Sequence, residues 1–146
     1  MDAIKLLKED HRKVEKLLEE LDSTTERGVK TRQDLFAKIS TEMRVHETIE
    51  EEIFYPALKE HPKAKEVVLE GYEEHHVVDE LMGELKETAF DDERWGAKAS
   101  VMKENIEHHI EEEEGEMFEK AEQLMEDSEL DELGSRMEAR KKQLEG

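Results

Sequence analysis

Several residue types are absent or scarce in this sequence of 146 residues. It contains no cysteine, which excludes disulfides, thiolate nucleophiles, cysteine-ligated iron–sulfur clusters and cysteine zinc sites. Aromatic residues make up 5% of the chain, and it has 2 prolines and 7 glycines, whereas charged residues reach 44%. This composition favours long helices over sheets. The predicted fold class is all-α, and any bound metal must be held by histidine and carboxylate side chains.

Positive charge is also scarce. The chain has 22 Lys and Arg residues against 42 Asp and Glu residues, a formal net charge of −20. Such a chain repels phosphate backbones and anionic lipid, which argues against nucleic acid and membrane surfaces as partners. No apolar run is long enough to span a bilayer, and no basic-plus-apolar leader is present, which predicts a cytoplasmic protein.

Apolar residues recur at helical spacing in five stretches. The pattern predicts a single domain over residues 1–146, with a bundle at about 3–126 and a C-terminal helix at about 128–145. The four bundle helices are predicted at residues 3–26, 31–58, 64–88 and 92–126. In each of these four stretches a histidine occupies a position in the apolar stripe: His11, His46, His75 and His109.

The spacing of these histidines predicts the bundle topology. When antiparallel helices are joined by short loops, two residues lie at the same height if the loop falls midway between them in sequence. The midpoints of successive histidines fall at residues 28–29, 60–61 and 92, which are the three predicted loops. The sequence therefore predicts an antiparallel up-down-up-down four-helix bundle in which all four imidazoles meet in one layer.

A layer of four histidines favours a metal site. A lone histidine on an apolar face is usually a buried neutral imidazole, but four together would leave several polar atoms without partners, each costing about 1–3 kcal/mol. Glu50 and Glu113 follow histidines by four residues and lie on the inner stripes, and a buried carboxylate needs an ion pair or a metal. The predicted metal ligands are His11, His46, Glu50, His75, His109 and Glu113.

The remaining histidines are predicted to lie outside this set. His76 and His108 adjoin the core-facing histidines and point about 100° away from them, and His61 lies in a turn. Glu15 and Asp79, four residues after core-facing histidines, are predicted to be flanking, solvated acids, with contact to the metal ligands as the alternative.

One further acid and two tyrosines are candidate neighbours of the metals. Glu114 is the alternative to Glu113. Tyr72 lies one turn before His75 on the same stripe, so its phenol is predicted to reach the metal layer. Tyr55 is predicted to lie near the end of the bundle, and a packed aromatic role is the alternative for both tyrosines.

The ligand types indicate which metal is bound. Four imidazoles and two carboxylates suit a pair of octahedral ions such as iron or manganese better than zinc, and the nitrogen-rich set favours iron. Ferritin-like bundles use Glu-x-x-His, whereas this chain has His-x-x-x-Glu. The motifs also recur at an offset of about 64 residues: Asp10-His11-x-x-Val14 matches Glu74-His75-x-x-Val78, and His46-x-x-x-Glu50 matches His109-x-x-x-Glu113.

Together these motifs resemble the hemerythrin-like HHE cation-binding proteins over about residues 3–125. The resemblance implies that the four histidines are terminal ligands of two non-haem iron ions, and that Glu50 and Glu113 bridge them beside an oxo or hydroxo group. The third helix departs from that of oxygen-carrying hemerythrins, which resembles His-x-x-x-His, because Asp79 occupies the second position. That departure leaves about two coordination positions open and favours turnover over reversible oxygen storage.

The resemblance also implies the function. We expect a diiron protein that binds or reacts with oxygen, peroxide or nitric oxide, for sensing, scavenging or storage. Two alternatives from other classes are a catalase-like enzyme that disproportionates peroxide and an iron-donor or iron–sulfur repair protein. A fourth hypothesis is an acidic helical interaction protein whose histidines bind no metal. The oligomeric state cannot be predicted from this sequence.

Overall fold

The computed structural model describes residues 1–146 and contains five helices and no strand. The helices are α1 (Ala3–Asp22), α2 (residues 29–59), α3 (Lys65–Glu87), α4 (residues 95–124) and α5 (Asp127–Glu145). Helices α1 to α4 form the antiparallel bundle, and α5 packs on α1 and α2. The predicted all-α fold with an extra C-terminal helix is confirmed. None of the five helices is both long and apolar enough to cross a membrane.

Helix α1 ends at Asp22, one turn before the predicted end at residue 26. The hydroxyl of Ser23 donates to the carbonyl of Glu20 at 2.8 Å, and that of Thr24 donates to the carbonyl of Leu21 at 2.7 Å. Serine and threonine compete with the helix for carbonyl groups in this way and favour helix ends. The predicted extension to residue 26 was therefore wrong.

Helix α4 begins at Trp95, three residues after the predicted start. A carboxylate oxygen of Asp92 accepts a hydrogen bond from the backbone N–H of Arg94 at 2.8 Å, which holds a turn instead of a helix. The indole of Trp95 donates to the carbonyl of Leu85 at 3.2 Å. These contacts tie the start of α4 to the end of α3.

The core consists of two apolar clusters with a polar layer between them. Leu7 belongs to the cluster at one end of the bundle, and Val14 belongs to the cluster at the other. His11 lies between these two residues on α1 and is 2% exposed. In α2, His46 lies in the same way between Met43 of the second cluster and Ile49 of the first. The histidine layer is therefore closed from solvent by apolar side chains at both ends.

Helix α5 packs tightly against the start of the chain. A Cβ atom at Gly134 would lie 2.8 Å from the backbone nitrogen of Ala3, so only glycine allows this close approach. The side chain of Arg140 donates to Glu52 at 2.8 Å, and Lys141 pairs with Asp10. Through Asp10, helix α5 reaches the neighbourhood of the histidine layer.

Candidate metal centre

The structure brings all six predicted ligand side chains together in the middle of the bundle. Their exposed fractions lie between 0% and 3%. Their ligand atoms form two groups, and the atoms within each group lie within 4.8 Å of one another. Site A consists of His11, His46, Glu50 and Glu113, and site B consists of His75, His109, Glu50 and Glu113. The two glutamates belong to both sites, which is the position that bridging carboxylates require.

Each glutamate faces one histidine from each site. The Nε2 atoms of His46 and His75 lie 3.2 Å and 3.0 Å from Oε1 of Glu50. The Nε2 atoms of His11 and His109 lie 2.9 Å and 3.3 Å from the carboxylate of Glu113. All four histidines therefore point Nε2 inward, towards the two shared carboxylates.

These contacts control the protonation of the metal-free protein. Burial lowers the pKa of His75, but hydrogen bonds to Glu50 and Glu51 outweigh it and raise that pKa to about 9. Burial also lowers the pKa of His109, but the nearby charge of Glu113 and the hydrogen bond to Glu74 outweigh it and raise that pKa to about 10. Metals bind neutral imidazole, so a metal ion entering the centre must displace these protons.

The unpartnered polar atoms of the centre fit a metal pair. The Nε2 atoms of His46 and His109 and the Oε2 atom of Glu50 are buried and have no hydrogen-bond partner. His46 Nε2 lies within ion-pair distance of Glu50, but the angle does not make a hydrogen bond. A buried polar atom without a partner costs about 1–3 kcal/mol. One metal at each site would give these atoms the partner that they lack.

A second set of carboxylates holds the outer nitrogen of each histidine. The Nδ1 atoms of His11, His46, His75 and His109 lie 2.6, 3.1, 2.7 and 2.5 Å from carboxylate oxygens of Glu114, Asp10, Glu51 and Glu74, respectively. A carboxylate only accepts hydrogen bonds, so Nδ1 carries the proton and Nε2 is presented to the metal.

The role of these four outer acids was missed by sequence reasoning, which treated Glu114 only as an alternative to Glu113. A signal was nevertheless present in the internal duplication. Asp10 and Glu74 each precede a predicted ligand histidine, and Glu51 and Glu114 each follow a shared glutamate. Acids therefore recur at equivalent positions in both halves of the bundle, where they hold the outer nitrogens of the four histidines.

Both shared glutamates begin a π-helical turn, at Glu50–Phe54 in α2 and at Glu113–Met117 in α4. The backbone N–H of Tyr55 donates to the carbonyl of Glu50, and that of Phe118 donates to the carbonyl of Glu113. A bond that spans five residues adds one residue to the turn, and such bulges occur frequently at functional sites. Side chains after each glutamate are therefore rotated relative to a regular helix.

This rotation reverses the prediction for the two tyrosines. Tyr55 is fully buried, its hydroxyl donates to Oε2 of Glu113 at 2.6 Å, and its ring stacks on His75 with centroids 5.3 Å apart. In a regular helix, Tyr55 would point about 140° away from Glu50. The hydroxyl of half-buried Tyr72 reaches only the backbone carbonyl of Glu51, at 3.5 Å. The prediction that Tyr72 reaches the metal layer and Tyr55 does not was wrong.

Tyr55 makes the two sites different. The equivalent residue in α4 is Phe118, whose ring stacks on His11 of site A with centroids 5.8 Å apart. Burial and the charge of Glu113 raise the pKa of Tyr55 well above its usual value. Site B therefore has a protonated phenol beside it, whereas site A has only a hydrocarbon ring.

The residues predicted to lie outside the centre do so. The side chains of His76 and His108 are 65% and 64% exposed, and His61 is half-buried in the turn before α3. Asp79 is exposed, and half-buried Glu15 pairs with Arg12 at 2.9 Å.

Comparison with known proteins agrees with this geometry. The family model described as the hemerythrin HHE cation binding domain matches residues 2–121. A solved structure of a hemerythrin HHE cation binding domain-containing protein from Mycobacterium kansasii is similar, with a TM-score of 0.87 and 28% identity over 99% of this chain and 87% of that chain. No curated protein matches the sequence. With most of its length matched by the family model, this chain belongs to the hemerythrin HHE cation-binding domain family.

Proposed function

We propose that this chain is a non-haem diiron protein whose centre reacts with oxygen, peroxide or nitric oxide. The observation that carries the proposal is the pair of overlapping ligand groups, each with two histidines, that share Glu50 and Glu113. Shared carboxylates suit two neighbouring ions of octahedral preference, and the imidazole-rich set favours iron over magnesium or calcium. His11, His46, His75 and His109 would be the terminal ligands.

The ligand count favours reaction with a small molecule. Four imidazoles and two bridging carboxylates fill about eight of the roughly twelve positions that two octahedral ions offer. When bound, an iron pair supplies redox chemistry and open coordination positions at this centre. Because the six side chains are at most 3% exposed, a small reactant such as oxygen, nitric oxide or peroxide suits this closed centre better than a large one.

Tyr55 favours peroxide disproportionation as a second candidate function. In that reaction two molecules of hydrogen peroxide give one of oxygen and two of water, so protons must move between oxygen atoms inside a closed site. The Tyr55 hydroxyl holds a proton beside site B and is oriented by its 2.6 Å hydrogen bond to Glu113, and a positioned phenol can give a proton to a substrate oxygen and take it back. We propose that Tyr55 performs this transfer, with Glu113 holding the hydroxyl in place.

Metal analysis tests the diiron assignment. We expect about two irons per purified chain, and strong loss of iron in His46→Ala and Glu113→Ala, because each removes a buried ligand. The matched controls are His76→Ala and His108→Ala, whose exposed side chains lie outside the centre and which should keep their iron. Unchanged iron content in both ligand variants would reject the assignment.

Reaction of the reduced protein with oxygen tests the proposed reactivity. In stopped-flow spectra we expect rapid oxidation without a long-lived adduct, because the centre has more open positions than a carrier needs. An adduct that lasts for many minutes and reverses under vacuum would instead indicate reversible carriage. For peroxide, Tyr55→Phe should keep two irons and slow oxygen evolution, and an unchanged rate would remove Tyr55 from the reaction.

A further inference from the structure

A cluster of three carboxylates lies beside site B, on the face formed by α2 and α3. One carboxylate oxygen of Glu47, one of Glu51 and a ring nitrogen of His75 lie within 4.8 Å of one another. Asp79 lies close enough to Glu47 for their carboxyl groups to share a hydrogen bond. None of these three acids is among the six residues that form sites A and B.

Glu47 is an unusual buried acid. It is 7% exposed, and its Oε2 atom is buried with no hydrogen-bond partner. No lysine or arginine pairs with Glu47, Glu51 or Asp79, and the only cationic neighbour of Glu51 is His75. A buried carboxylate is stable only when it is paired, protonated or bound to a metal.

The other half of the bundle shows that the fold does not require this acid. The internal duplication places Ile110, a buried residue that is 5% exposed, at the position equivalent to Glu47. In that half, Arg12 pairs with both Glu15 and Glu114, the counterparts of Asp79 and Glu51. Site A therefore has an apolar residue and a compensating cation where site B has a buried acid and none.

We propose that Glu47, Glu51 and Asp79 form a third divalent-cation site, through which Fe²⁺ enters the diiron centre. The acids form a path of decreasing exposure, from exposed Asp79 through half-buried Glu51 to buried Glu47. Carboxylate oxygens suit hard divalent cations such as Mg²⁺ and Mn²⁺ and also bind Fe²⁺. The net charge of −20 draws cations towards the protein from solution. The entry role rests on the proposed diiron function, whereas cation binding by the cluster does not.

Titration with Mn²⁺, followed by the electron paramagnetic resonance signal of the free ion, tests the site. At a salt concentration that screens exposed acids, iron-loaded protein should bind one Mn²⁺ more than Glu47→Gln. Removal of a residue that only supports a metal ligand lowers metal affinity about 10–100-fold. Asp79→Asn removes a proposed direct ligand, so its affinity for Mn²⁺ should fall at least about tenfold. Glu15→Gln, the matched control in the other half, should bind Mn²⁺ as the unmodified chain does.

Equal Mn²⁺ binding by the unmodified chain, Glu47→Gln and Asp79→Asn, with unchanged circular dichroism, would overturn the site. If metal analysis finds no iron pair, the number of Mn²⁺ ions bound by the unmodified chain and by Glu47→Gln is compared on metal-free protein. That comparison tests the third site independently of the diiron assignment. For the entry role, Asp79→Asn should take up Fe²⁺ more slowly and reach the same final iron content. An unchanged uptake rate would overturn the entry role.

Discussion

Helix α3 carries a glycine where it passes the ring of Tyr55. A Cβ atom at Gly71 would lie 2.9 Å from the hydroxyl oxygen of Tyr55 and 3.0 Å from the terminal methyl of Met117. The Tyr55 ring is fully buried and cannot retreat without breaking its 2.6 Å hydrogen bond to Glu113. We therefore expect Gly71→Ala to displace the phenol and destabilise the protein.

Three contributions give the magnitude of this change. Overpacking a buried position costs about 1–3 kcal/mol. Leaving the phenol or its acceptor without a partner costs about 1–3 kcal/mol more, and the better helix propensity of alanine recovers about 1 kcal/mol. The free energy of unfolding of Gly71→Ala should fall by about 1–5 kcal/mol. Urea unfolding of the metal-free protein, followed by circular dichroism, measures this difference.

The same helix offers a matched control. No atom lies within 4 Å of a Cβ built at Gly83, so Gly83→Ala should raise the free energy of unfolding by about 0.4–1 kcal/mol. In a Tyr55→Phe background, Gly71→Ala should cost less because the nearest clashing atom is gone. Equal stabilisation by Gly71→Ala and Gly83→Ala would refute the steric reasoning.

Three further predictions concern helix α5 and pH. Lys141→Ala should speed iron loss to a chelator, because Lys141 pairs with Asp10, which holds Nδ1 of His46. The effect should be smaller than the about 10–100-fold expected for loss of Asp10 itself, and an unchanged rate would contradict this role. Gly134→Ala should lower the free energy of unfolding by about 1–3 kcal/mol, because its Cβ would meet the backbone of Ala3, and an unchanged melting temperature would exclude that contact. The two histidines of site B have pKa values of about 9 and about 10 in the metal-free fold against 6.5 for the free side chain. Their contribution to stability is fully present below pH 6.5 and is lost as pH rises through 9 and 10. The urea concentration at the unfolding midpoint of metal-free protein should therefore decrease as pH is raised from 7 to 10. A constant midpoint would contradict the raised pKa values.

The helices and their order could be predicted from the sequence because both depend on local patterns. Helical periodicity depends on residues three and four apart, and short loops force neighbouring helices to run antiparallel. These two rules brought His11, His46, His75 and His109 to one height, and the structure places them together. The helix ends near Asp22 and Trp95 differed because side-chain hydrogen bonds in the turns compete with the helix there.

What the sequence by itself determined is therefore the bundle and the six inward-facing side chains of sites A and B, because polar residues in an apolar stripe can be recognised from the sequence alone. The tertiary structure alone decided the rotation of α2 and α4 after Glu50 and Glu113. A π turn adds one residue to a helix, and the sequence pattern of a regular helix does not reveal it. That rotation carries Tyr55 to the centre. The tertiary structure also decided that Oε2 of Glu47 has no hydrogen-bond partner while Glu114 pairs with Arg12, because such partners are set by proximity in space and not by distance along the chain.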